Sequence, residues 1–244
     1  MMTGPVVDTA SAQEFQQEIL GRISAGELTS IAADLDRKSQ ALRELLAPGA
    51  ARLDRSALRE ALRWVFTARR HADQILDAVG PERLGAAVTG LLDPATDLAA
   101  RFDRFDAVLA GLPVPGFDLP GELLHFSFPG EYWLWTRWLW DPRTETGALR
   151  LVTTEDIDLT EGGSRGGVYL TVGRASAFVT ETGRAAGFTG AGPGLFGTDV
   201  FLAAVYAVYM YTVLKMRMTA EFNRLLPPLP ELVRRLLGVY HLED

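Results

Sequence analysis

Apolar positions recur at three- and four-residue steps through most of the first 110 residues, and that spacing predicts helices. Phe15, Ile19 and Ile23 form the first stripe, with Ser11 and Glu14 spaced as a capping box and Gly26 as the stop. Ile31, Leu35, Leu42 and Leu45 form the second, capped by Ser30 and ended by Pro48–Gly49. Asp54 opens a longer pattern, Leu58, Leu62, Val65, Ala72, Ile75 and Val79, which reads as one helix up to Gly80–Pro81. Shorter helices are expected over 81–92 and 96–110, the latter with Leu98, Phe102, Phe105 and Leu109 on one face. Five helices with short links suit an antiparallel bundle over residues 10–111, after a loose tail over 1–9.

The pattern changes at LPVPGFDLPG, residues 112–121, a proline-rich connector and the expected domain boundary. Beyond it, over 122–244, Leu149–Thr153 and Val168–Val172 read as strands by their β-branched content. Residues 162–197 hold eleven of the 24 glycines, interspersed with Phe178, Val179, Phe188 and Phe196. Strand pieces and tight turns are expected there, with a short helix near 175–184. A last amphipathic helix is expected over Glu231–Leu237.

The longest apolar run is VFLAAVYAVYMYTVL, Val200–Leu214, uncharged between Asp199 and Lys215. Read as a helix from Thr198 to Leu226, it is apolar all round at first. It then becomes one-sided, with Leu214, Met218, Phe222 and Leu225 on one face and Pro227–Pro228 as the stop. Read as a strand, it is supported by its Val and Tyr content but is long for one. Read as a membrane span, fifteen residues reach about 22 Å, short of the ~30 Å hydrocarbon core. A buried helix is the reading followed, with the strand kept as alternative. The expected fold is α+β and predominantly helical: an N-terminal helical bundle packed on a smaller C-terminal α+β part, both sharing the long buried apolar helix.

Composition narrows the functional classes. The chain of 244 residues is 48% hydrophobic, enough for a substantial core. A net charge of −7 and a pI near 5.1 do not favour wrapping nucleic acid, and the short apolar run does not favour a membrane. The absence of cysteine excludes disulfides, thiolate metal sites and cysteine catalysis. Lys38 and Lys215 are the two lysines of an arginine-rich chain. MMTGPVVDTASAQEF shows no cationic stretch followed by a long apolar run, so no secretory signal is expected and the cytoplasm is the expected compartment.

The most unusual segment is YWLWTRWLW, Tyr132–Trp140, with four of the five tryptophans around Arg137. Such rings beside one guanidinium suit a partner hot spot or a stacked planar ligand, or else a core element whose indole N–H groups find backbone acceptors. Trp133, Trp135, Arg137, Trp138 and Trp140, with His125 upstream, are the candidate partner- or ligand-binding residues. Gly192–Gly197 spells GxGxxG but lacks a good preceding strand and an acid about twenty residues on. Gly162–Gly167 could form an anion nest without the P-loop lysine. Glu155, Asp156, Asp158 and Glu161 cluster without the register of an EF-hand. Arg101 and Arg104, ahead of the connector, suggest a nucleic-acid-binding helix–loop–helix diluted by Asp103, Asp106 and Asp118. No catalytic set, metal-ligand set or cofactor is assigned. The reading favoured is a non-enzymatic interaction or accessory protein whose partner is another protein or a second copy. The alternatives are a small-ligand binder or enzyme with its pocket between the halves, and a nucleic-acid-associated helical protein.

Overall fold

The computed structural model describes residues 6–46, 53–112, 116–187, 194–217 and 227–240, with the backbone alone for 214–217. Its elements are helices: α1 Thr9–Leu20, α2 Ala25–Leu46, α3 Arg55–Trp64, a 3-10 turn at Arg69–His71, α4 Ala72–Val79, α5 Pro81–Leu92, α6 Leu98–Val108, α7 Asp118–Ser127, α8 Ala148–Val152, α9 Arg165–Ala186, α10 Gly197–Arg217 and α11 Leu229–Leu236. Among the described residues β pairing is confined to two isolated bridges, Val7–Thr153 and Asp141–Thr146. The α+β expectation is therefore corrected: the part beyond residue 122 is helical too.

The strand assignments failed on period. Leu149 and Val152 lie in α8, and both are buried. Val168, Val172, Ala175 and Val179 recur at four, three and four residues, and all are buried along α9. That is a helical stripe, and the core it enters outweighs the β propensity of its members. Some glycines of this region serve turns, with positive φ at Gly162, Gly163, Gly187 and Gly194, and others serve packing. A Cβ on Gly166 would collide with the Ala99 carbonyl of α6, and one on Gly167 with the Gly162 carbonyl.

The expected helix over 54–79 is broken. Asp54 does cap α3, accepting from the Ala57 amide at 2.8 Å. Val65 then turns extended, and its side chain and that of Ala68 are fully buried. Neither proline nor glycine marks the break, so packing imposes it. Capping also differs from expectation in two places. Asp8, not Ser11, caps α1 by accepting from the Ser11 amide and hydroxyl. Ser24 and Glu27, not Ser30, form the capping box of α2, and Ser30 lies inside the helix.

The chain divides into two compact units. One comprises Met1–Asp36, Arg137–Ile157 and Ala175–Asp244, and is called the α10 unit below; the other comprises Arg37–Thr136 and Asp158–Arg174, and is called the α7 unit. The division falls inside α2 and α9, so each helix contributes to both.

In the α10 unit the apolar run is a helix, as the preferred reading had it, and α1, α8 and α11 pack on it. Val200–Val205, Ala207 and Val208 are buried. The helix begins at Gly197, so Thr198 sits in its first turn and shares a 2.8 Å hydrogen bond with Thr180 instead of capping. Asp199 lies in that turn, where the helix dipole favours a carboxylate. Residues 218–226, expected to continue the helix, lie outside the described residues. Val6 and Asp8 flank the bridge to Thr153 through the bonds Thr154 N–H to Val6 O and Asp8 N–H to Val152 O. A buried ion pair, Arg234 to Asp34 at 3.1 Å, joins α11 to α2, and Arg234 also donates to the Ser30 hydroxyl. No helix among the described residues is long and apolar enough to cross a membrane.

In the α7 unit, α5 packs against α3, α4, α6 and α7. Helix α7 incorporates the last residues of the supposed connector, and all ten of its residues are buried although Asp118, Glu122 and His125 are among them.

Candidate functional site

The aromatic segment is divided between the two units. Trp133 and Trp135 belong with His125 in the α7 unit, and Arg137, Trp138 and Trp140 belong to the α10 unit. Trp135 is fully buried, stacked on Phe117 at 4.1 Å and on Phe102 at 5.7 Å between ring centroids; Tyr169 stacks on Phe102 at 4.7 Å and lies 6.3 Å from Trp135. Trp133 is half-buried against Gly173, and its carbonyl accepts from the Tyr169 hydroxyl at 2.9 Å. Burial raises the Tyr169 hydroxyl far above its ordinary pKa, so it stays a neutral donor to that carbonyl. His125 is buried on α7 with Nδ1 2.8 Å from the Tyr132 carbonyl, so Nδ1 carries the proton.

Around α7 lies a buried polar cluster absent from the sequence-level candidates. Lys38, fully buried on α2, places Nζ 2.5 Å from Glu122 Oε2 and 4.2 Å from the centre of the Phe126 ring. Ser39 donates to the Phe126 carbonyl at 2.8 Å. The Phe66 amide, freed by the break after α3, donates to Glu122. Burial pushes the Glu122 carboxyl up, and the Lys38 ammonium, that amide and the charge at His125 oppose it. A signal for this cluster was present. Lys38 falls in the stripe Ile31, Leu35, Leu42, where an outward-facing lysine has no place, and Glu122 falls between Leu119 and Phe126 in the same way. With Lys38 and Glu122 enclosed, the pair holds α2 to α7 and offers no group to a reactant.

The exposed aromatic feature lies in the α10 unit. Trp138 approaches Tyr206 at 6.4 Å between ring centroids, and Tyr206 approaches Tyr209, one turn on, at 6.1 Å. Tyr209 is 40% exposed. Partial burial raises the Tyr206 hydroxyl, and Tyr209 and Asp141 raise it further. Asp141 is held below the usual carboxylate range by the Arg143 guanidinium, its nearest partner at 2.9 Å, with smaller help from the Arg143 amide and Arg137. Trp140 is buried, and Arg137 and Trp138 are half-buried. The Trp138 indole N–H finds no acceptor among the described residues, unlike the expectation for a core tryptophan. Leu20, Phe178 and Leu195 are further exposed apolar side chains of this unit, at 52%, 40% and 62%.

The other motifs are occupied by structure. The Gly166 amide donates to Asp103 at 2.7 Å and the Gly167 amide to Ser164, so the supposed anion nest is filled from within the chain. Arg150 donates to the carbonyls of Thr154, Glu155 and Ile157, tying down the start of the acidic loop, and Asp158 caps Thr160. Among the described residues no three His, Asp or Glu side chains are grouped to hold a metal. Gly192 of the GxGxxG string lies outside the described residues. Arg101 is buried and not presented to a polyanion surface. The class of protein reached is therefore a helical one of two units, with the buried Lys38–Glu122 pair in one and a tryptophan–tyrosine row ending in exposed Tyr209 in the other. Comparison with family models, with curated proteins and with solved structures returned no match.

Proposed function

We propose that this chain is a non-enzymatic accessory protein of the cytoplasm that binds another protein, or a second copy of itself, through the aromatic face of α10. The observation that carries the reading is the row Trp138–Tyr206–Tyr209, ending in an exposed tyrosine, with half-buried Arg137 next to Trp138 in the chain. Tyr, Trp and Arg are the residues that most often dominate binding energy at protein interfaces, because each combines a large rigid or planar apolar area with a polar tip. The acid–base groups closest to a catalytic set, Lys38, Glu122 and His125, support the non-enzymatic side of the proposal, since all three are enclosed.

The test uses the full chain and the variant Tyr209→Arg. Light scattering after size exclusion, and affinity capture from the source cell, are expected to show an assembly or a reproducible partner that the variant loses with its melting temperature unchanged. A chain that stays monomeric and captures no protein, or a variant that binds as the parent does, overturns the proposal.

A further inference from the structure

Arg101, on α6, is 4% exposed. Its Nη2 donates to the Tyr132 hydroxyl at 2.6 Å, and the group lies 4.9 Å from the centre of the Tyr132 ring. Nε and Nη1 are buried and find no acceptor among the described residues. The acids nearest in sequence are engaged elsewhere: Asp97 accepts from the Ala100 amide, Asp103 accepts from the Gly166 amide, and Asp106 faces Arg165 at 3.9 Å. Among the described residues the other two buried basic side chains, Lys38 and Arg234, each have a carboxylate partner. Arg101 alone of the three has a phenol and a ring, neither of which carries negative charge.

A buried cation without a counter-charge is among the costlier arrangements a fold can hold, and one with unmet donors is costlier still. Nε or Nη1, each without an acceptor among the described residues, together with the second N–H of Nη2 makes the two-donor fork that a planar or tetrahedral oxyanion accepts. We infer that Arg101 is the anchor of an anion site in the α7 unit, taking a small carboxylate or phosphate against Arg101 and the Tyr132 hydroxyl. Phe102, next along α6, packs on Tyr169 and Trp135, and Trp135 packs on Phe117. This inference concerns the α7 unit and stands apart from the α10 interface.

The experiment has a direct arm and a titration arm. The full chain, purified in Tris-chloride, is denatured and the released anions are quantified by ion chromatography. Separately, dialysed protein is titrated with sodium phosphate and with sodium acetate against sodium chloride at equal ionic strength, following the melting temperature. About one equivalent of a released carboxylate or phosphate, or a saturable rise of several degrees, is expected, because a ligand bound to the native state alone stabilises it. Which salt acts distinguishes a phosphate from a carboxylate ligand. Arg101→Met is expected to abolish both responses. Should that variant not fold, Arg101→Lys keeps the charge without the planar donor set and is expected to weaken the midpoint at least about tenfold. A parent chain that releases no anion and responds to neither salt overturns the inference, since water then fills the free positions. Variants that respond as the parent does also overturn it, since the anion then binds elsewhere.

Discussion

Lys38 and Glu122 meet at 2.5 Å inside the α7 unit, both enclosed, one from α2 and one from α7. Eighty-four residues separate them in the chain. Each alone would be a buried charge, and together they close a contact between two helices.

Removing either partner should therefore cost more than removing both. Lys38→Met or Glu122→Met singly is expected to lose about 3–5 kcal/mol, and the double variant to come within about 1–2 kcal/mol of the parent. Urea denaturation of the four proteins gives the coupling directly. Additive losses would show that the two residues do not act as a pair.

Two glycine substitutions should have opposite signs. Gly121 lies in α7, and a Cβ there would overlap the Trp135 carbonyl. Gly121→Ala is expected to destabilise by about 2 kcal/mol or more through overpacking. Gly90 lies exposed in α5 with open space where a Cβ would go. Gly90→Ala is expected to stabilise by about 0.5–1 kcal/mol, from helix propensity and a less free unfolded chain. Thermal melts of both variants suffice.

Acid should weaken the α10 unit through Asp141. Its folded carboxyl holds charge to a lower pH than the ordinary 3.8, so its stabilisation is complete above that value and fades as pH falls below it. Asp141→Asn is expected to cost roughly 1 kcal/mol at pH 7, discounted because Arg143 is largely exposed, and almost nothing near pH 2. Glu122 acts in the opposite direction. Its folded carboxyl binds a proton more readily than the unfolded one, so stability declines as pH rises above the ordinary 4.5. Glu122→Gln is expected to flatten that decline. Denaturation midpoints across pH 2–7 separate the two effects.

Tyr209 should matter for association and not for folding. It is exposed, so Tyr209→Arg is expected to shift stability by no more than about 0.5 kcal/mol. Tyr206→Ala, by contrast, empties a half-buried place between Trp138 and Tyr209 and is expected to cost about 2 kcal/mol or more. Calorimetry of the two variants tests the assignment of one ring to the surface and the other to its support.

Local pattern was sufficient for the helices over Pro81–Leu92 and Leu98–Val108, for the Asp54 cap, and for the buried run Val200–Val208, because stripe and cap are properties of neighbouring residues. It misled at 149–153 and 168–172, where β-branched content outweighed a four-three-four spacing already present in Val168, Val172, Ala175 and Val179. Among the site residues, the sequence singled out the tryptophans by their rarity. It had no means of dividing them between Trp135 and Arg137, nor of pairing Trp138 with Tyr206, because those relations span large separations along the chain.

By itself the sequence determined which faces must be hidden, since apolar period and charge placement are written residue by residue. Tertiary structure alone decided what hides them. It broke the helix after Trp64, turned the Phe66 amide toward Glu122, and matched Lys38 to a carboxylate while leaving Arg101 without one among the described residues. The reason is physical: burial of a charge is settled by which distant groups arrive beside it, and no periodicity along the chain encodes that arrival.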